Sequence, residues 1–186
     1  MIYVFLADGF EETEALVPTD ILRRGGFEVR TVGVTGKTVT GSHGIQVVCD
    51  ITESQASEEN LCCVVLPGGM PGTVNLEKSD TVRRFINFAD ENGLVIGAIC
   101  AAPSILGHMG LLNGKKATCF PGFEKELTGA ILTDAPAVCD GNTVTAWGAG
   151  GAFEFGLCLL KTLTDEKTAA SLAENMKYPF FGTYMG

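Results

Sequence analysis

The sequence is short of basic residues. Thirteen Lys and Arg stand against 22 Asp and Glu, which gives a formal net charge of -9, and no run of Lys or Arg is longer than a pair. Such a charge distribution repels phosphate backbones and anionic membrane surfaces. We therefore expect neither nucleic acid nor a membrane as a partner.

Histidine is scarcer still, and the usual cysteine spacing of metal sites is absent. Only His43 and His108 occur, and no two of the seven cysteines form a C-x-x-C pair. Structural zinc sites are built from such groups, so we predict no metal site. Because the number of cysteines is odd and several lie in apolar stretches, we expect reduced thiols that pack as small hydrophobic groups.

A secretory signal and a long uninterrupted hydrophobic run are also missing. The N-terminus MIYVFLADGFEE soon turns acidic and carries neither a basic region nor a cleavage site, so we expect a cytoplasmic protein. Residues 94–112 hold no formal charge, but three glycines and Pro103 interrupt them. A buried strand followed by a short packed helix explains this stretch better than a membrane span does.

Apolar residues are abundant, and their pattern predicts strands that alternate with helices. A length of 186 residues with 46% hydrophobic content fits a single domain over 1–186. The alternation indicates an α/β fold with a mostly parallel central sheet, and residues 36–51 predict an inserted hairpin. The predicted strands are 2–7, 28–34, 62–67, 94–99 and 143–147, and the predicted helices are 11–24, 79–91, 151–162 and one that begins at 164–165.

Cys100 follows the fourth predicted strand, and small residues follow it at once. In an open α/β sheet, ligands bind beyond the carboxyl ends of the strands. A helix over 101–109 would place the sulfur at a sharp elbow with backbone N–H groups directed at it, and such a position lowers a thiol pKa. Cys100 is thus a candidate nucleophile, although a buried structural cysteine fits the local pattern equally well.

Three carboxylates, Glu11, Glu12 and Glu14, lie in the first turn of the first predicted helix. Acidic residues there complement the helix dipole, and local sequence alone favours this explanation over a catalytic one. Neither histidine is placed to serve Cys100 as a base. One carboxyl group that turned inward and was held neutral by burial could instead donate a proton to the sulfur or to a substrate.

The glycine-rich loop LPGGMPG spans residues 66–72. It lacks the G-K-[ST] of a phosphate-binding loop, and a tight turn explains its composition. Glycine also allows backbone N–H groups to approach a ligand closely. The N–H groups of Gly69 and Ala101 are therefore candidate donors of an oxyanion hole.

Four segments together resemble one known family: LADGFEETEALVPTDILRRGG, VVLPGGMPG, GAICAAPSIL and GAGGAFEFGL. They are similar to the ThiJ/PfpI superfamily, in particular its DJ-one branch, over nearly the whole chain. The resemblance implies a flavodoxin-like three-layer sandwich and a homodimer. It matches Cys100 to the reactive elbow cysteine, Glu14 to the acid that hydrogen-bonds it, and Gly69 and Ala101 to the backbone donors around the sulfur.

The chain departs from its relatives at two positions. Ala101 stands where protease-like and amidotransferase-like branches place a histidine, which argues against peptidase or glutaminase activity. Phe120, before Pro121, stands where many relatives carry a histidine. His43 matches a basic residue of the dimer-side hairpin and reaches the site only if two subunits pair. By this resemblance His43, Phe120 and Pro121 are candidates for substrate binding.

The resemblance implies an enzyme that needs no cofactor and acts on small reactive carbonyl compounds. Its substrates would be 2-oxoaldehydes such as methylglyoxal or glyoxal, or their early glycation adducts, and its products 2-hydroxy acids. The alternative is a redox-sensing or chaperone-like protein in which Cys100 is oxidised to the sulfinate. The aromatic tail over 178–186 is expected to fold back onto the body or onto a second subunit.

Overall fold

A seven-stranded sheet forms the centre of the molecule. The computed structural model describes residues 1–179. The sheet has the order β10-β11-β7-β6-β1-β2-β5, in which only the edge strand β10 is antiparallel to its neighbour. The strands of the chain are β1 (Ile2–Leu6), β2 (Val29–Gly33), β3 (Thr38–Thr40), β4 (Gln46–Val48), β5 (Ile51–Thr52), β6 (Cys63–Leu66), β7 (Val95–Ile99), β8 (Lys116–Ala117), β9 (Ile131–Leu132), β10 (Ala137–Asp140) and β11 (Thr143–Ala146). The predicted, mostly parallel α/β sheet is confirmed.

Helices cover both faces of this sheet and make a flavodoxin-like three-layer sandwich. They are α1 (Glu12–Arg24), α2 (Gly72–Lys78), α3 (Asp80–Glu91), α4 (Pro103–His108), α5 (Ala152–Leu163) and α6 (Glu166–Asn175). Alternate residues of β1 point to opposite faces. Val4 packs in the core with α1, α5 and α6, whereas Phe5 packs in the core with α2, α3 and α4. Burial on both faces explains why this strand is apolar throughout.

The hairpin expected over 36–51 forms from β3 and β4, with Thr38 opposite Val48 and Thr40 opposite Gln46. It is fastened to the loop that follows β1. The Gly9 N–H donates to the Thr40 carbonyl at 2.8 Å, and the Thr40 N–H donates to the Asp8 carboxylate at 2.8 Å. These bonds place the hairpin beside the start of α1.

Two features of the fold differ from the sequence prediction. The helix after Cys100 begins at Pro103 rather than at residue 101, because residues 100–102 form a turn first. Helix α2 and the short strands β5, β8, β9 and β10 were not predicted. Strands of two residues have no alternation to detect, and β10 is identified only by its antiparallel pairing with β11.

The chain folds back at its described C-terminal end. The Tyr178 ring stacks on Phe153 with 5.2 Å between centroids, and its hydroxyl donates to the Glu154 carboxylate. The rest of the aromatic tail, residues 180–186, lies outside the described residues. Over residues 1–179 every helix is too short to cross a bilayer, since the longest, α1, has 13 residues.

Candidate functional site

The carboxyl ends of three adjacent strands, β1, β6 and β7, meet at one edge of the sheet. The loops that leave them bind one another through the backbone. The Glu11 N–H donates to the Gly68 carbonyl at 2.9 Å, and the Gly72 N–H donates to the Gly9 carbonyl at 3.2 Å. The loop that begins at Cys100 completes this cluster, as the position of the site in an α/β sheet predicts.

Cys100 lies on a backbone elbow with φ of 66°, in the left-handed region that non-glycine residues rarely adopt. Bonds to both neighbouring segments hold it there. Its N–H donates to the Ala146 carbonyl at 2.8 Å, and its carbonyl accepts from the Phe120 N–H at 2.8 Å. The side chain is half-buried. Such conformations persist where the surroundings over-determine them, and they cluster at functional sites.

Glu14 projects from the first turn of α1 into the same cluster and is 1% exposed. One of its carboxyl oxygens accepts the Gly68 N–H at 2.9 Å, and the carboxyl group also accepts the Ala149 N–H and shares a hydrogen bond with the Cys100 thiol. Glu11 caps the helix by accepting the Glu14 N–H at 2.7 Å. The structure therefore separates the three neighbouring carboxylates and directs only Glu14 to the sulfur.

The backbone N–H groups of Gly69 and Ala101 also hydrogen-bond to the Cys100 sulfur and favour its thiolate form. Gly69 has φ of 87°, and a Cβ at this position would lie 2.4 Å from the Glu11 nitrogen. Only glycine allows the two loops to approach so closely. The residues named in advance as backbone donors are thus brought to the sulfur.

The expected low pKa of Cys100 is wrong. Burial, and then the neighbouring Glu14 carboxyl, raise the pKa of the Cys100 thiol to about 12. Burial likewise raises the pKa of the Glu14 carboxyl to about 7, with a further rise from the charge of Glu11. Between these two values the pair retains one proton. Near neutral pH the thiol therefore keeps its proton while the Glu14 carboxyl titrates, so the site holds a hydrogen-bonded pair rather than a free thiolate.

Both histidines are bound to carboxylates. His43 lies in the turn between β3 and β4, where its Nδ1 is 3.0 Å from Glu12, and this contact raises its pKa. His108, at the end of α4, lies between Glu77 and Glu126. Ligand atoms of Glu11, Glu12 and His43 lie within 4.8 Å of one another. The Glu12 carboxylate already accepts backbone N–H groups there, so this group has a structural explanation.

The other two candidates for substrate binding lie beside Cys100. Phe120 is 48% exposed, and its ring packs against Gly148, where a Cβ would be 3.2 Å away. Gly148 also lies next to Glu14, whose oxygen would be 3.9 Å from such a Cβ. Pro121 lines a neighbouring cavity together with Trp147. The sequence reasoning did not find Trp147 or Ala149; their place directly after β11, at the carboxyl edge of the sheet, was the available signal.

The fold and this elbow define a flavodoxin-like α/β protein with a cysteine and a buried carboxylic acid at the carboxyl edge of its sheet. The model of the DJ-1/PfpI family matches residues 1–162. The chain belongs to the DJ-1/PfpI family.

Curated relatives agree with this assignment. The chain is 33% identical to protein dj-1beta of Drosophila melanogaster, over 93% of this chain and 94% of that protein. It is 35% identical to the deglycase PH1704 of Pyrococcus horikoshii, over 75% of this chain and 85% of that protein. It is 30% identical to the glutathione-independent glyoxalase DJR-1.2 of Caenorhabditis elegans, over 87% of each.

Solved structures share the fold. An oxidised DJ-1 of Toxoplasma gondii superposes with a TM-score of 0.91 at 32% identity, covering 96% of this chain and 98% of that one. A DJ-1 superfamily protein of Salmonella typhimurium, STM1931, superposes with a TM-score of 0.89 at 37% identity, with the same two coverages.

Gly68 tests how tightly the two loops and the elbow are packed. A Cβ at Gly68 would lie 2.6 Å from the Cys100 Cβ and 2.7 Å from a Glu14 oxygen. We expect Gly68→Ala to lower the free energy of unfolding by about 1–3 kcal/mol, as overpacking does. Gly150→Ala is the control, because a Cβ there meets nothing within 4 Å. Urea denaturation measures both; equal stability of the two variants would contradict the packing described.

Glu14 should also make stability depend on pH. Its pKa is about 7 in the folded protein and 4.5 for the free group, so the folded state binds more protons between these values. The contribution of this proton to the free energy of unfolding is complete below about pH 4.5, and it is lost as the pH rises through about 7. At 1.36 kcal/mol per pKa unit, the loss is about 3 kcal/mol.

Glu14→Gln does not titrate and is the matched control. Urea denaturation from about pH 4 to pH 8 should show the stability of the wild type falling relative to that of Glu14→Gln. Parallel curves for the two proteins would show that Glu14 titrates normally.

Proposed function

We propose that the protein is a cysteine-dependent, cofactor-independent enzyme that converts 2-oxoaldehydes such as methylglyoxal, or their early glycation adducts, into 2-hydroxy acids. The observation that carries this proposal is the buried hydrogen bond between Glu14 and Cys100, in which the carboxyl pKa is about 7. A group with this pKa both accepts and donates protons near neutral pH. Relatives named as a deglycase and as a glutathione-independent glyoxalase support the assignment.

The first step is the attack of Cys100 on the aldehyde carbon. As the sulfur–carbon bond forms, the thiol proton passes to the Glu14 carboxylate, and the N–H groups of Gly69 and Ala101 donate to the developing oxyanion. The two backbone donors lie at the sulfur, next to the position that the attacked carbon and its oxygen would occupy. The oxyanion then takes this proton from Glu14, which gives a hemithioacetal and returns Glu14 to its carboxylate form.

The second step moves hydrogen between the two carbons. Glu14, as a carboxylate, removes the proton from the former aldehyde carbon to give an enediolate, and returns it to the adjacent carbon. The hydroxyl proton passes to the other oxygen, which gives a thioester. Water then attacks the thioester carbonyl, the carbon–sulfur bond breaks, and the thiol regains its proton. The sum is the addition of one water to the oxoaldehyde, which is why no cofactor is needed.

A homodimer accords with the surface beside the site. α1 and the β3–β4 hairpin expose Leu16, Ile45 and Val48, which are 40%, 54% and 70% accessible. The Ile45 N–H donates to Glu12, one helical turn before Leu16, so the turn of the hairpin adjoins the first half of α1. We expect light scattering across a dilution series to give twice the mass of one 19.6 kDa chain. A single-chain mass at micromolar concentration would contradict the proposed dimer.

Two substitutions test the enzymatic proposal. Cys100→Ser should abolish methylglyoxal turnover, and Glu14→Gln should lower it by about 10²–10⁴-fold because an amide cannot carry the proton. In the wild type, turnover should rise as the pH passes about 7, where Glu14 loses its proton. Glu59→Gln is the matched control, since it makes the same change at an exposed position outside the Glu14 site. Full turnover by Glu14→Gln would refute the proton transfer.

The second candidate function is a redox sensor in which peroxide oxidises Cys100 to the sulfinate. The half-exposed sulfur favours it, and the similar structure from Toxoplasma gondii is described as oxidised. Here Glu14→Gln should leave oxidation largely in place, because the amide still donates to an oxidised sulfur. Mass spectrometry after peroxide treatment measures the sulfinate. Oxidation that persists in a protein without aldehyde turnover would favour the sensor.

A further inference from the structure

A cavity of about 370 Å³ lies beside the Cys100 site. The Phe120 ring packs toward Gly148 and the catalytic cluster, whereas its two neighbours, Cys119 and Pro121, line this cavity. The Phe120 N–H bond to the Cys100 carbonyl ties the wall of the cavity to the elbow. The mechanism above leaves this space unused, although its volume is that of a small-molecule pocket.

The cavity carries two negative charges. Glu124 and Asp134 both line it, and Lys and Arg are missing from its lining. Glu124 is fixed by the Gly122 N–H, which donates to one of its oxygens at 2.7 Å. The Glu124 charge acts on the neighbouring Cys119 of the cavity wall: burial, and then Glu124, raise the pKa of the Cys119 thiol to about 11. A positively charged ligand would therefore bind in this cavity more tightly than a neutral one.

An aromatic ring and apolar side chains complete the lining. The Trp147 indole is held at its edge by Gly151, where a Cβ would lie 3.0 Å from the indole nitrogen. The backbone N–H of Trp147 donates to the Pro136 carbonyl at 3.2 Å, and this bond fixes the backbone that carries the ring. Pro121 and Leu132 add apolar surface to the same space. This surface suits the methylene part of a ligand.

We propose that this cavity binds a guanidinium-bearing ligand, such as an arginine side chain. A guanidinium group is planar, pairs with a carboxylate through two parallel hydrogen bonds and stacks on an indole face. An ammonium group is compact and strongly hydrated and uses the ring less well, and a metal ion leaves most of the volume empty. Glu124 and Asp134 bind the charge, and Pro121 and Leu132 contact the chain that carries it.

Trp147 makes the proposal directly measurable, because it is the only tryptophan of the chain. The probe is Nα-acetylarginine amide, titrated into the Cys100→Ser protein while the tryptophan emission is followed. We expect a saturable change. The neutral analogue Nα-acetylcitrulline amide has nearly the same shape without the charge, and it should bind at least tenfold more weakly. Because the Cys100→Ser protein lacks the proposed nucleophile, the result of this titration does not depend on the proposed enzyme activity.

A pair of double variants tests the two carboxylates. Glu124→Gln with Asp134→Asn should weaken binding of the arginine probe at least tenfold, whereas Glu59→Gln with Glu91→Gln removes the same charge from exposed sites elsewhere and should leave it unchanged. Thermal unfolding confirms that each variant is folded. Equal binding of the arginine and citrulline probes to the unaltered cavity would overturn the proposal. So would equal weakening by the two double variants, or emission that stays constant throughout the titration.

Discussion

The hydrogen bond between the Glu14 carboxyl and the Cys100 thiol is the interaction on which the site depends. It joins the first helix to the elbow after β7, two segments far apart in sequence. The carboxyl is buried and accepts the Gly68 and Ala149 N–H groups, so three loops converge on one acid. A buried carboxyl without these partners would cost several kcal/mol. The arrangement of these loops around Glu14 is therefore part of the stability of the fold.

Burial and charge together decide the chemistry of this pair. A strand-to-helix elbow by itself predicts a reactive thiolate, as the sequence suggested. In the folded chain, burial and the adjacent carboxyl outweigh the donors Gly69 and Ala101 and raise the thiol pKa to about 12. The helix that was expected to lower this pKa begins only at Pro103. The proposed enzyme therefore activates its nucleophile by passing the thiol proton to Glu14 at the moment of attack.

The glycines of the loop after β6 allow these contacts. Gly68 and Gly69 contact the neighbouring loops so closely that a Cβ at either position would lie less than 3 Å from another atom. Gly148 likewise leaves room for the Phe120 ring, which packs against it between the elbow and the cavity lined by Trp147. Small residues at the carboxyl edge of the sheet thus allow both the close packing of the loops around the sulfur and the position of the Phe120 ring beside it.

The sequence by itself determined the alternation of strands and helices, because apolar strands buried on two faces, such as β1, differ from amphipathic helices in every local window. It also singled out Cys100, Glu14, Gly69 and Ala101, since strand ends, glycine and a matching family pattern are local signals. Only the tertiary structure decided the direction of the pKa shifts, the small strands between residues 116 and 140, and the cavity at Trp147. These depend on burial and on contacts between distant segments, which no local window of sequence contains.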